Sequence, residues 1–170
     1  MKIGLISDTH NNLSATIQAA SLLLDCEVAA VLHCGDITSA RILEELYVCC
    51  YEKGVPLYFV WGNCDCGIPE LLDYPTLEGL HCCRRFGALE LGGKRIGLIH
   101  GDDARAYAKY AESGAYDYLI SGHTHVVHDQ NHKKTRLLNP GSAAKSRGGP
   151  ESCAVLDLDS DTFQVITIDR

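Results

Sequence analysis

Five short apolar runs, Lys2–Ser7, Val28–His33, Val55–Trp61, Arg95–His100 and Tyr116–Ser121, set the tightest limit on how this chain folds. Each is nearly continuous in apolar residues rather than alternating, which is the pattern of a strand covered on both faces. Between them lie segments of helical spacing. Leu13, Ile17, Ala20 and Leu24 follow the capping-type residues Asn11 and Asn12, and Ile42, Leu43, Leu46 and Cys50 follow Thr38 and Ser39. A third helix is expected from Asp103 to about Ser113, ended by Gly114. The second half adds strands without helices at Ala88–Leu91, Val126–Asp129, Thr135–Leu138, Cys153–Leu158 and Phe163–Ile168, with Gly92-Gly93 and Ser160-Asp161 at hairpin turns. Strand and helix alternating, then strands alone, predict an α/β fold: a four-layer α/β/β/α sandwich of two mixed β-sheets flanked by helices.

With 170 residues and 46% hydrophobic content, the chain is expected to form one domain over residues 1–170. The short connections between strands predict an open site without a lid. The N-terminus turns polar after six residues, too early for the apolar core of a signal peptide, and no apolar run is long enough to span a membrane. A cytoplasmic protein with no membrane partner is therefore expected. A net charge of −7 with no basic block argues against a strong nucleic-acid-binding surface. A homo-oligomer is compatible with the sequence. Nine cysteines, an odd number without CxxC spacing, do not form a disulfide framework, and most are expected to be small buried hydrophobes.

The polar residues carry the chemistry. Every one of the five runs ends in a metal-ligating residue type or an adjoining Gly-Asp or Gly-Asn step: Asp8-Thr9-His10, Gly35-Asp36, Gly62-Asn63-Cys64-Asp65, His100-Gly101-Asp102 and Gly122-His123-Thr124-His125. Ligands bind outside the carboxyl ends of strands in open α/β sheets, so these distant segments should meet at one edge. In Asp8-Thr9-His10 and His123-Thr124-His125, residues i and i+2 of an extended segment point the same way and can hold one cation. A glycine precedes Asp36, Asn63 and His123, where its dihedral freedom suits a sharp exit from a strand. Asp36 has two oxygens and is placed between two metals.

These blocks, in this order, resemble the calcineurin-like metallophosphoesterase superfamily, and most closely its small prokaryotic phosphodiesterase branch, which also carries a turn like Asn139-Pro140-Gly141-Ser142. The resemblance implies the same sandwich fold and two divalent ions, manganese first, with nickel, iron, cobalt or zinc as alternatives. Asp8, His10, Asp36 and His125 would hold one ion. Asp36, Asn63, His100 and His123 would hold the other, with Asp36, Asn63 and His123 at the catalytic centre. Two ions about 3.5–4 Å apart lower the pKa of a bridging water, clamp two phosphate oxygens and allow in-line attack by a metal-bridging hydroxide. The implied activity is a phosphoesterase for small phosphate esters, a phosphodiesterase more than a phosphomonoesterase. Position 64 is Cys where many members have a His that protonates the leaving group, so Cys64 is a candidate for a weaker leaving-group role or for packing. Asp65 would orient a neighbour.

Two other readings remain. A catalytically weak metal-binding scaffold shares the fold, because a retromer subunit of this family acts mainly as a binding module. A thiol-based redox or zinc protein is disfavoured by the missing CxxC pairs and by the oxygen and nitrogen donors that dominate the motifs. Outside the motifs, His33, His81, His128 and His132 are expected to be surface or internally satisfied histidines, and Arg41, Arg105, Lys145 and Arg147 solvated charges, with Arg147 of interest because it follows the Asn-Pro-Gly-Ser turn.

Overall fold

The computed structural model describes residues 1–68 and 77–169. The first sheet holds β1 (Lys2–Ile6), β2 (Val31–His33), β3 (Leu57–Phe59), β4 (Leu80–Cys82), β10 (Ser152–Asp157) and β11 (Thr162–Thr167), in the order β11-β10-β1-β2-β3-β4. From β1 to β4 its pairings are parallel, while β10 and β11 add antiparallel strands at one side. The second sheet has the order β5-β6-β7-β9-β8, built from β5 (Phe86–Leu91), β6 (Lys94–Ile99), β7 (Tyr118–Ile120), β8 (Val127–His132) and β9 (Thr135–Pro140). Here β6, β7 and β9 run parallel and the two outer strands antiparallel. Helices α1 (Leu13–Asp25) and α2 (Ala40–Tyr51) link the early parallel strands, and α3 (Ala104–Glu112) links β6 to β7.

The period-2 alternation of a strand sorts these side chains into three apolar layers. On β1, Ile3 and Leu5 face the gap between the sheets, where they meet Leu32, Ile96, Leu98, Ile120, Leu138 and Leu156. Ile6 faces the other way and joins Val31, Leu57 and Phe59 against Ala19, Leu23, Leu43 and Leu46 of α1 and α2. On the far side, Ile99, Leu119 and Leu137 pack against Ala111 of α3, with Tyr107 and Tyr110 at the margin. The four-layer α/β/β/α sandwich of two mixed sheets is therefore as expected.

The helix starts follow from local chemistry. Asn12 caps α1 by accepting from the Ala15 N–H at 3.2 Å, and Asp103 caps α3 by accepting from Arg105 and Ala106. Asn11, also expected as a cap, makes no such bond and takes a left-handed φ of 60°. Ser39 occupies the N-cap of α2 without a side-chain hydrogen bond. Strand β4 went unpredicted, because it is three residues long and buries only Leu80, which leaves no periodicity to detect. The expectation of no lid reaches into residues 69–76, which lie outside the described residues. The cysteines depart from expectation too: all nine are free, but only Cys34, Cys50 and Cys153 are buried, while Cys64, Cys66 and Cys82 are exposed.

Candidate metal centre

The parallel strands of both sheets end at the same edge, so Asp8 after β1, Asp36 after β2, Asn63 after β3, His100 after β6 and His123 and His125 after β7 meet there. Backbone hydrogen bonds lock the exits together. Asp8 N donates to Gly35 O at 3.0 Å, His10 N to Asp36 O at 3.1 Å, and Gly122 N to His100 O at 3.0 Å. Three donor groups converge among the described residues, each with its ligand atoms within 4.8 Å of one another: Asp8, His10 and His125; Asp8, Asp36 and His100; His10, Asp36 and Cys64.

Their chemistry fits divalent cations. Donor atoms sharing one ion at ~2.1 Å stand roughly 3.0–3.4 Å apart. His125 Nε2 lies 3.2 Å from both Asp8 Oδ1 and His10 Nε2, and His100 Nε2 lies 3.4 Å from Asp36 Oδ1 and 3.2 Å from Asn63 Oδ1. Asp8 Oδ1 is buried without a hydrogen-bond donor, a costly arrangement that a cation would relieve. The histidine tautomers suit ligation as well. His100 Nδ1 donates to Cys34 O at 2.8 Å and His125 Nδ1 donates to Lys145 O at 2.6 Å, so in the neutral ring each Nε2 turns its lone pair to the cluster.

Electrostatics differ between the two carboxylates. Burial raises the pKa of Asp8 and Asp36 adds to this, against the hydroxyl of Ser7 and the charges of His100 and His125. Burial also works against Asp36, but the hydrogen bond and charge of His100 and the N–H of Cys64 outweigh it and hold this carboxyl well below the usual range. Burial, the largest influence, lowers the pKa of His10. For His100 burial pulls downward, yet Asp36 and Asp8 raise the net value.

Asp36 splits its oxygens between two donor sets. Oδ1 faces His100, and Oδ2 lies 3.8 Å from His10 Nε2. A single carboxylate thus looks into two neighbouring sites. The profile of the calcineurin-like phosphoesterase superfamily domain matches residues 1–161. The chain belongs to the calcineurin-like phosphoesterase superfamily. Within that superfamily it is 27% identical to a phosphodiesterase of Methanocaldococcus jannaschii over 99% of this chain and 100% of that protein. It is 35% identical to a "probable metallophosphoesterase" of Methanothermobacter thermautotrophicus over 95% of this chain and 88% of that protein. The solved structure of an archaeal phosphodiesterase superposes with a TM-score of 0.83 at 27% identity, covering 98% of this chain and 99% of the other.

As a calcineurin-like phosphoesterase, the chain brings most of its predicted ligands together, with two differences. His123 belongs to none of the three donor groups. Its ring packs edge-on against His100 with centroids 5.1 Å apart, and its backbone N–H donates to Asp8 Oδ2 at 3.1 Å. Cys64, not predicted as a ligand, joins His10 and Asp36 in the third group. Burial and the nearby Asp36 push its thiol up to about 11. Asp65 accepts from three backbone N–H groups: Asp36 at 2.9 Å, Gly62 at 2.8 Å and Thr38 at 2.7 Å. It thereby sets the path of the loops that carry Asp36 and Asn63.

Five candidate ligands, Asp8, His10, Asp36, His123 and His125, have φ between 42° and 64°. Such conformations cost about 1–3 kcal/mol each outside glycine and persist only where surrounding bonds impose them. The three glycines that precede Asp36, Asn63 and His123 are required for different reasons. Gly35 has φ of 94°, as its dihedral role predicts, whereas at Gly62 a Cβ would collide with Asp36 Oδ1 and at Gly122 with Ser7 Oγ.

Four supporting residues carry no motif signal in the sequence. Ser7 donates to Asp8 Oδ2 at 2.5 Å. Asn139 donates from Nδ2 to Gly122 O at 2.7 Å and accepts from Gly141 N through Oδ1, while Ser142 donates to Asp8 O at 3.0 Å. The Asn-Pro-Gly-Ser turn therefore ties the first ligand loop to the last. In the sequence the turn stands out only through the family resemblance, since nothing in its spacing indicates these partners.

His33 is the fourth. Gly35 N donates to its Nδ1 at 3.1 Å, so Nε2–H is the donor to Thr9 Oγ1, also at 3.1 Å, and the ring joins the Asp8 and Asp36 loops. Burial, with the charge of His100, depresses its pKa to about 3. Below the ordinary value of 6.5 the unfolded chain takes up a proton that the folded protein refuses until about pH 3. The stability contributed by the neutral ring is therefore present above pH 6.5 and lost as pH falls. Between pH 7 and pH 5 the chelator-treated protein should lose about 2 kcal/mol more than His33→Gln, read from urea unfolding at both pH values. Equal losses would mean that the ring is accessible to protons in the fold.

Proposed function

We propose that this phosphoesterase is a dinuclear-metal phosphodiesterase, working as one domain over residues 1–170, with Asp8, His10, Asp36 and His125 on one ion and Asp36, Asn63, His100 and His123 on the other. The division of the Asp36 oxygens between His10 and His100 carries this reading. When bound, the ions supply a nucleophilic hydroxide near neutral pH and a clamp on two phosphate oxygens. The chain's own groups prepare the place. Asp65 holds the Asp36 and Asn63 loops through three N–H groups, and the Cys34 and Lys145 carbonyls fix the rings of His100 and His125. Asn63 offers a neutral oxygen, which limits negative charge at a site meant for an anionic substrate.

The preference for diesters and good leaving groups rests on Cys64. Its thiol stands where a leaving-group acid would stand by resemblance, but with a pKa of about 11 it is a weak acid at neutral pH. The likeness to the phosphodiesterase of Methanocaldococcus jannaschii supports the same preference. Manganese is the proposed native ion by resemblance; the mixed carboxylate, imidazole and amide donors also accept nickel, iron, cobalt and zinc, and supply in the cell decides among them. Nine free thiols, three of them exposed, suit a reducing cytoplasm.

The test is hydrolysis of bis(p-nitrophenyl) phosphate by chelator-stripped protein resupplied with Mn²⁺, Ni²⁺ or Zn²⁺. Activity should be absent after stripping and restored by metal. Cys64→Ala should bind both ions and lose less than ~10-fold in turnover on this activated diester, below the 10²–10⁴-fold typical of a working general acid. Two ions bound per chain without turnover of any ester would favour the scaffold reading instead.

A further inference from the structure

A cavity of about 400 Å³ opens beside the metal centre, within the size range of small-molecule sites. Its walls share backbone with the metal ligands. Gly101 follows His100, and Gly122 and Thr124 flank His123; all three line the cavity. The Gly122 N–H bond to His100 O draws these two segments side by side, so cavity and ligand rings stand on the same pair of backbone segments. Ala104 and Tyr107 from the start of α3 and Val126 before β8 give the cavity an apolar lining, and His128 stands exposed at its margin.

The Asn139 and Thr124 side chains of the lining are already engaged. Asn139 spends its amide on Gly122 O, Thr124 Oγ1 and Gly141 N, and Thr124 Oγ1 also accepts from Val126 N at 3.3 Å. Among the described lining residues none is Lys or Arg. The cavity therefore suits an uncharged planar ring, buried against Tyr107 and Val126, rather than a second anion. Cys64, the residue placed by resemblance beside the leaving group, converges with His10 and Asp36. Cys64 is not among the described residues that line the cavity, so the cavity is assigned to the other substituent of a diester.

We propose that this cavity is a subsite for the ester group that stays on phosphorus, and that it selects an aromatic group, aryl or nucleobase, over a small alkyl group. The proposal rests on the phosphodiesterase reading. It identifies the product as an aryl or nucleoside monophosphate, with Ala104, Tyr107 and Val126 setting specificity.

The test compares bis(p-nitrophenyl) phosphate with methyl p-nitrophenyl phosphate, which share a leaving group and differ in the retained one. With manganese-loaded protein, KM for the first should be lower by about tenfold or more, the scale on which an apolar subsite discriminates. Ala104→Trp, which fills the cavity from an exposed position, and Val126→Asp should each collapse the KM ratio toward one, leaving kcat for the methyl diester within about twofold. Comparing variant with parent cancels the intrinsic reactivity of the two esters. Calorimetry on the same protein with AMP, phenyl phosphate and methyl phosphate reads the subsite without turnover. Ala104→Trp should weaken the first two by about tenfold and leave methyl phosphate unchanged, and the tighter of the two identifies nucleobase or aryl as the preferred ring.

Turnover of both diesters with equal KM, unmoved by either variant, would overturn the subsite and leave the phosphodiesterase standing. Absence of turnover on either diester would sink the phosphodiesterase reading, and the proposed role in the reaction with it. Binding of AMP and phenyl phosphate indifferent to Ala104→Trp would overturn the cavity as a ring site.

Discussion

Asp36→Asn is expected to strip the protein of both ions and to lower diester turnover by roughly 10³-fold or more, because one carboxylate faces both donor sets and an amide has only one oxygen to offer. The variant keeps the shape of the side chain, and its amide oxygen can still accept the Cys64 N–H that Asp36 Oδ1 accepts at 2.9 Å, so the fold should survive. Metal content per chain after dialysis against Mn²⁺, measured alongside turnover of bis(p-nitrophenyl) phosphate, separates binding from chemistry. Full metal content with normal turnover would show that Asp36 does not bridge. One ion retained would locate the residue on a single site.

The largest effect on stability is expected at Asp65, which touches no substrate. Its carboxylate satisfies the N–H groups of Asp36, Gly62 and Thr38, the first two of them on buried residues. Each buried N–H left without a partner costs about 1–3 kcal/mol. Asp65→Ala should therefore lower stability by roughly 3–5 kcal/mol, a large share of the ~5–15 kcal/mol that holds a domain of this size together. Urea unfolding of the chelator-treated protein reads this directly. In protein that still folds, metal affinity should drop by about 10–100-fold, as when the supports of a metal ligand are removed. A stability loss below about 1 kcal/mol would mean that water replaces the carboxylate at these N–H groups.

Much of the architecture was legible because two-sided burial leaves continuous apolar runs, and all five of those runs became strands. Boundaries moved where apolar residues continued past the last paired strand residue. Val28 is buried in the helix-facing layer yet precedes β2, and Val60 is buried between the sheets yet follows β3. The candidate metal ligands were legible for another reason. Asp and His at several strand ends have no role in packing, so their coincidence pointed to one shared site. The supporting residues lacked any such signal. Ser7, His33, Asn139 and Ser142 are ordinary residues in one dimension, and each acts through a partner that only folding brings near.

Local order along the chain thus determined which segments become strands and helices, which faces they bury and which residue types arrive at the carboxyl edge, because hydrophobic periodicity and residue chemistry are properties of neighbours in sequence. The tertiary structure alone decided which oxygen of Asp36 meets which histidine, why Gly62 and Gly122 must lack a Cβ, and that Asp65 and His33 hold the loops in place. Those outcomes depend on distances of about 3 Å between groups far apart in sequence. The register of the strands and the path of each loop set such distances, and neither is written in any single segment.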